Sequence, residues 1–289
     1  MTTKGYLILA QNNGPDDYVR MAYVLALSIK VSQQEVTSVS LITDTPDSVP
    51  DQYKAVFDNI IEIPWYDDAL NSTWKIENRW KIYHITPYDE TVLLDADMLF
   101  LTNVDHWWKY LSKKYDLFIT SNVKTYRNEL VTNNYYRKAF VRNNLPNTYS
   151  AFTYFKKSQF SKEFWLLVEI ISKNWEEFYN RFLPNYKSKY LSMDLVFALA
   201  IKILDIEDQV TTNFNYPTFV HMKSIVQNWQ KFSNEWIELV PISFNKECEL
   251  KIGNFQQTGI FHYTEKKFLN RDIENSYQMK YEEKINGSK

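Results

Sequence analysis

Two acidic residues interrupt the most apolar stretch of the chain. Residues 91–101 read TVLLDADMLFL, with Asp95 and Asp97 among aliphatic neighbours. An isolated carboxylate buried in such company costs several kcal/mol or gives up its charge. Side chains at i and i+2 of an extended segment point the same way, so this pair aims two carboxylates at one spot. A divalent cation held there removes their repulsion and stabilises both in ionised form. The plainer alternative is a strand end whose acids reach water.

The elements that must position the pair are legible around it. GYLILAQ is expected to be a first strand, and DDYVRMAYVLALSIKVS a helix with Tyr18, Met21, Ala22, Leu25 and Ile29 on one face. VSLIT and IIEIP read as strands flanking a helix at PDQYKAVFD, and KIENRWKIYHIT as a helix ending before Pro87. TVLLD is then the fourth strand. This alternation predicts βαβ units and a parallel α/β sheet, in which ligands bind beyond the carboxyl ends of the strands. Asp95 and Asp97 fall at such an end. Later, SAFTYF reads as a strand, SQFSKEFWLLVEIISKNWEEFYNRF as one long helix, SMDLVFALAIKIL as a second with Ser192 as N-cap, and TGIFHYTEKKF as a strand entering a charged turn. No convincing linker divides the chain, so one domain over residues 1–289 is expected, with a polar, basic and aromatic insertion at about 121–149.

Composition narrows the chemistry. Five glycines and no GxGxxG or GxxxxGK[ST] argue against a glycine-rich phosphate loop. The single cysteine, Cys248, excludes an internal disulfide framework and a cysteine-based zinc site. No secretory signal or membrane span is recognisable, so a cytoplasmic location in a reducing compartment is expected. Net charge is −2, yet residues 121–162 carry eight Lys or Arg against the single acid Glu129. There Tyr126, Tyr135, Tyr136 and Phe140 interleave with Lys124, Arg127, Arg137, Lys138 and Arg142, and a second stretch adds Arg181, Lys187 and Lys189. Cations between aromatic rings suit an anionic partner, whether a glycan or, as a lesser option, DNA with hydroxymethylated pyrimidines. A solvated basic face balancing the acidic first half is the alternative.

The order of motifs resembles the glycogenin-like glycosyltransferases, family 8 of the GT-A fold. LLDADMLFLTNVDHWW resembles that family's apolar strand ending in D-A-D. DDYVRMAYVLALSI resembles its tyrosine-bearing first helix, Tyr88 stands seven positions before Asp95, Arg79 sixteen before it, and FHYTEKKF resembles its late His and basic turn. The resemblance covers roughly residues 4–270. It implies a metal-dependent transfer of sugar, with retention, from a nucleotide-sugar (a UDP-sugar) to an acceptor hydroxyl. It implies that Asp95, Asp97 and His262 bind Mn²⁺ or Mg²⁺. It implies Lys266 or Lys267 at the diphosphate, and Gln11, Asn12, Asn13, Tyr18, Arg79, Lys81 and the backbone of Ala96 at the nucleotide. Asp194 would hold sugar hydroxyls, and Arg79 and Asp194 are the candidate catalytic residues. The sugar side departs from the family: Tyr149, Ser150 and Ala151 replace its Asn–small–Gly, Leu195 replaces an amide after Asp194, and Glu265 replaces a turn glycine. His84, His106 and His221 read as structural. Two further readings stand beside this one. One is a phosphohydrolase of the haloacid-dehalogenase type, which also ends a strand in D-x-D. The other is a sugar-binding protein on a degenerate transferase fold.

Overall fold

The computed structural model describes residues 2–131, 137–212, 214, 216–223 and 235–287. Tyr135 and Tyr136 of the basic segment lie outside the described residues. The first half runs β1 (Lys4–Leu9), α1 (Tyr18–Ser32), β2 (Val39–Thr43), α2 (Asp51–Lys54), β3 (Asn59–Glu62), α3 (Ile82–Ile85), β4 (Glu90–Leu94), β5 (Met98–Phe100), α4 (His106–Lys114) and β6 (Leu117–Thr120). Then come α5 (Lys138–Asn143), β7 (Tyr149–Lys156), α6 (Gln159–Lys173), α7 (Trp175–Phe182), α8 (Met193–Leu204) and α9 (Glu207–Val210). The last part holds β8 (Phe219–His221), α10 (Trp236–Leu239), β9 (Ile242–Phe244), β10 (Leu250–Ile252), β11 (Phe255–Gln256), β12 (Ile260–His262) and α11 (Arg271–Asn286).

The main sheet has the order β3-β2-β1-β4-β7-β6. Its first four strands are parallel, whereas β7 runs antiparallel to both β4 and β6. The βαβ units account for the parallel part, and from β4 onward the sheet is mixed, as the resemblance to the GT-A fold implies for a Rossmann-like central sheet flanked by helices. The run of parallel pairing stops there: β7 enters from the opposite direction, and β6, antiparallel to β7, points the same way as β4. Helices cover both faces, so strands carry apolar side chains on both. Tyr6, Ile8, Val92 and Leu94 enter one core with α1, while Leu7 and Leu93 enter the other with α6 and α8.

A second sheet, ordered β5-β12-β8, abuts the end of β4. The three residues Asp95, Ala96 and Asp97 are the link between the two sheets. The Asp95 N–H is still tied to the Ala151 carbonyl of β7 at 3.1 Å, and the Asp97 carbonyl accepts from Tyr263 N–H at 3.2 Å. The pair thus sits in a turn rather than an extended segment, because the chain must bend from one sheet into the other.

Local differences have equally local causes. The helix expected at residues 50–58 is a single turn, Asp51–Lys54. The long helix expected from Ser158 divides at Asn174, which adopts φ −127° and caps α7. Ser192 stands at the N-cap of α8 in extended conformation but makes no side-chain cap bond. The segment at 77–85 is helical as expected, a 3-10 turn over Glu77–Lys81 running into α3. Tyr88 supports the fold: its hydroxyl and the Ser40 hydroxyl are 2.7 Å apart, and its ring lies over Gly5 of β1.

Candidate active site

At the junction of the two sheets, Asp95, Asp97 and His262 bring one ligating atom each to within 4.8 Å of one another. Asp97 and His262 are both buried. One Asp97 oxygen lies 3.0 Å from His262 Nε2, and the other accepts from Lys266 Nζ. Burial alone would raise the Asp97 pKa, but His262 and Lys266 hold it well below the usual carboxylate range. Asp95 accepts from Arg79, whose second terminal nitrogen donates to the Ser150 carbonyl at 2.8 Å. Lys266 also lies 4.9 Å from the centre of the Tyr18 ring, and Asp97 keeps its ammonium charged against burial. His262 Nδ1 is buried without a hydrogen-bond partner. Two carboxylates and an imidazole converging on one point are a donor set that fits Mg²⁺ or Mn²⁺.

The other side of the site is built on Asp194, at the first turn of α8. One of its oxygens accepts from both the N–H and the hydroxyl of Ser150, each at 2.8 Å, and the other from Arg137 at 2.8 Å. Burial opposes ionisation, and Arg137 and Ser150 overcome it, holding the carboxyl below its ordinary value. The Arg137 guanidinium is clamped between the rings of Phe140 at 3.8 Å and Tyr149 at 4.0 Å, and it also donates to the Thr148 carbonyl. Arg137 is thus a buried strut within the site, not a member of a surface basic patch. Ser150, at the small-residue position of the family's Asn–small–Gly motif, serves as the second anchor of Asp194.

These residues line one cleft of about 680 Å³ together with Leu9, Gln11, Tyr18, Ala96, Leu195, His221, Lys223 and Lys266, a volume usual for ligand sites. The remaining expected nucleotide contacts take other partners. Asn12 Oδ1 accepts from Val19 N–H at 3.0 Å and so shapes the start of α1, while Asn13 donates to the Thr73 carbonyl at 2.8 Å. Lys81 is buried against the Tyr66 carbonyl and lies 3.3 Å from Asp68. Lys267 is exposed and pairs with Glu235 at 3.3 Å. Of the two candidate lysines, then, it is Lys266 that faces the cleft.

His84 packs edge-on to Trp65 and Trp80, and His106 opens α4, both as expected of structural residues. His221 differs. It is buried beside His262 with ring centres 4.9 Å apart, it lines the cleft, and its Nδ1 has no hydrogen-bond partner among the described residues. Burial, then the neighbouring His262, keeps this ring neutral. The sequence held a signal for it. Residues 219–221, FVH, repeat the pattern of 260–262, IFH, and the two strands pair in parallel with His221 opposite His262.

No family model matches the sequence, and no curated protein matches it. Solved structures do. The galactosyltransferase LgtC, in complex with donor and acceptor sugar analogues, superposes with a TM-score of 0.56 at 13% identity, over 96% of this chain and 95% of that one. Mouse xyloside xylosyltransferase 1 gives 0.53 at 10% identity, over 90% of this chain and 97% of that one. The glycosyltransferase GlyE of Streptococcus pneumoniae TIGR4 gives 0.53 at 11% identity and covers all of this chain. The fold is GT-A. The chain spans 64% of the GlyE chain. In this fold, the two carboxylates stand at the end of β4, the fourth strand of the chain.

Proposed function

We propose that the protein is a metal-dependent glycosyltransferase of the glycogenin-like type. It moves a sugar from a nucleotide-sugar, UDP-linked, to an acceptor hydroxyl with retention of configuration. The observation that carries this reading is the convergence of Asp95, Asp97 and His262 within 4.8 Å at the end of β4 in a GT-A fold.

Asp95, Asp97 and His262 would hold the cation, with the imidazole favouring Mn²⁺ over Mg²⁺. When bound, such a cation supplies Lewis-acid stabilisation of charge on a leaving diphosphate. Lys266 sits beside the same carboxylates and offers a second positive charge to the phosphates. Arg79, buried and braced by Asp95 and Ser150, directs its guanidinium along the same wall. Gln11 and Tyr18 line the nucleotide end. On the sugar side Asp194 accepts three hydrogen bonds from Ser150 and Arg137, so it acts by fixing Arg137 and the Ser150 backbone as much as by direct contact. Leu195 leaves no amide next to it, and His221 is the polar group that faces the cleft between the two halves.

The acceptor is an anionic glycan in this reading. Exposed Lys138, Arg142, Lys187 and Lys189 support it, and DNA with hydroxymethylated pyrimidines is the lesser option. The test is a calorimetric titration of UDP with and without Mn²⁺, followed by turnover of UDP-hexoses and UDP-pentoses. Metal-dependent UDP binding and release of UDP from one of the sugars are expected. Full turnover in excess EDTA would overturn the metal dependence, and phosphoester cleavage without use of any nucleotide-sugar would overturn the transferase.

A further inference from the structure

The loop leading from β3 to the Arg79 turn exposes three aromatic side chains, of which Trp65 stacks on Trp80 and Tyr66 lies against Lys81. Trp65 is 64% exposed, Tyr66 61% and Trp74 63%, all within ten residues. Across the cleft, Tyr190 is 70% exposed. Trp74 and Tyr190 both line the cleft that holds Asp95, Asp97 and Asp194. Solvent-facing indoles grouped at a cleft mark a binding surface rather than a core.

The loop is also held still. Its backbone is tied at five places by side chains. Lys81 donates to the Tyr66 carbonyl, and Asn78 Oδ1 accepts from Asp68 N–H at 3.1 Å. Lys75 donates to the carbonyls of Ala69 and Leu70 at 2.8 and 2.9 Å, and Asn13 to that of Thr73 at 2.8 Å. Below it, Gln11, Asn78 and Asp67 form a closed amide–carboxylate network. Trp65 and Lys75 take left-handed backbone conformations, with φ of 66° and 54°, at the two ends of the segment. Side chains with a Cβ adopt that region at a cost of about 1 kcal/mol or more. Such expenditure on a surface loop orients what the loop displays.

We propose that Trp74 and Tyr190 form an acceptor platform at the cleft mouth, on which sugar rings lie against the aromatic faces. This rests on the transferase reading above and names the substrate class of its second site. Flat aromatic faces with one polar tip suit a ligand whose own faces are carbon-bound hydrogen and whose edges are hydroxyl. The deep end of the cleft, with Lys266, Arg79 and the metal-binding carboxylates, suits the diphosphate. The ligand at the exposed rim is the one that enters second. Continuity of the rim with that cleft makes it the place where an acceptor hydroxyl can approach a bound donor.

The test uses the full chain and neutral disaccharides (lactose, maltose and cellobiose), so that ring contact is separated from charge. Saturation-transfer NMR is recorded for wild type, Trp74→Ala, Trp74→Phe and Tyr190→Ala, with UDP plus Mn²⁺ titrated in parallel. Expected are transfer to the carbon-bound protons of at least one disaccharide and a loss of about tenfold in its affinity in Trp74→Ala. Recovery in Trp74→Phe and unchanged UDP affinity complete the expectation. Unchanged thermal unfolding is the control, since a residue as exposed as Trp74 supports no core. Three results overturn the proposal: disaccharide signals that ignore Trp74 and Tyr190, UDP affinity that falls in step with Trp74, which would make it a base-covering residue, or an oligothymidylate probe that binds through these rings where no sugar does. Disaccharide binding that depends on Trp74 in a protein indifferent to all nucleotides would keep the platform and overturn the transferase reading instead.

Discussion

At the scale of single residues, Asp97 is held from two sides, since it faces His262 and Lys266 at once. Asp97→Asn keeps the shape and removes the charge. The expected result is a fall of more than about 100-fold in Mn²⁺ affinity, measured by titration calorimetry, with an unchanged circular dichroism spectrum. Arg137 makes a different prediction. Arg137→Met leaves the Asp194 carboxylate beside Ser150 with no cation. Removing one partner of a buried pair costs about 3–5 kcal/mol, and because Asp194 keeps 28% of its side chain exposed, about 3 kcal/mol is expected in urea unfolding. The sign of its pH dependence follows from the depressed pKa. Wild-type stabilisation by this pair is present above the unfolded carboxyl value and fades as pH falls through the lower folded value. Arg137→Met therefore unfolds with a flatter acid limb than wild type, and an equally steep limb would remove the pair from the stability account.

At the scale of elements, the strands and α1 were legible because their apolar periods are long and uninterrupted. The D-x-D turn, the late His and the basic turn were legible as types and order. Three things were not. Strand direction at β7 is set by what connects it, and SAFTYF carries no mark of that. The anchoring of Asp194 depends on Ser150 and Arg137, which are far from it in sequence. That Asn12, Asn13 and Lys81 also bond to the backbone of α1 and of the loops at 66 and 73 carries no mark in one dimension. Gly5 illustrates an element-level constraint that sequence hides. A Cβ placed there would meet the Tyr88 ring at 2.3 Å, and Tyr88 cannot retreat because its hydroxyl is bonded to Ser40. Gly5→Ala is expected to destabilise by about 1–3 kcal/mol, read as a lowered Tm, and Tyr88→Ala in the same chain should recover part of that loss. A Gly5→Ala protein as stable as wild type would mean that β1 and the Tyr88 segment slide apart freely. Asp105 joins elements in a comparable way. It accepts from the backbone N–H groups of Gln34 and Glu35 at 2.8 and 3.0 Å, fixing the end of α1 to the start of α4. Burial would raise its pKa, yet Asn103 and these N–H groups lower it below 3.8. Asp105→Asn should thus reduce stability at neutral pH and have little effect once the wild-type carboxyl is protonated, a crossover that denaturation across that range would reveal.

For the whole molecule, the pairing of β12 between β5 and β8 has a consequence in time. The aspartates are made early and His262 late, 165 positions after Asp97, and no helix or hairpin near either one can bring them together. Closing so long a loop is entropically slow and is rewarded only when the strand seats. A chain still emerging from the ribosome at residue 250 holds Asp95 beside Arg79, but Asp97 without His262 or Lys266 and β5 without β12. Metal capacity is therefore acquired in one late step. An ion such as Mn²⁺, added during refolding, should leave the early rate untouched and slow only the final unfolding, so the timing of its uptake reports the docking of the last strand.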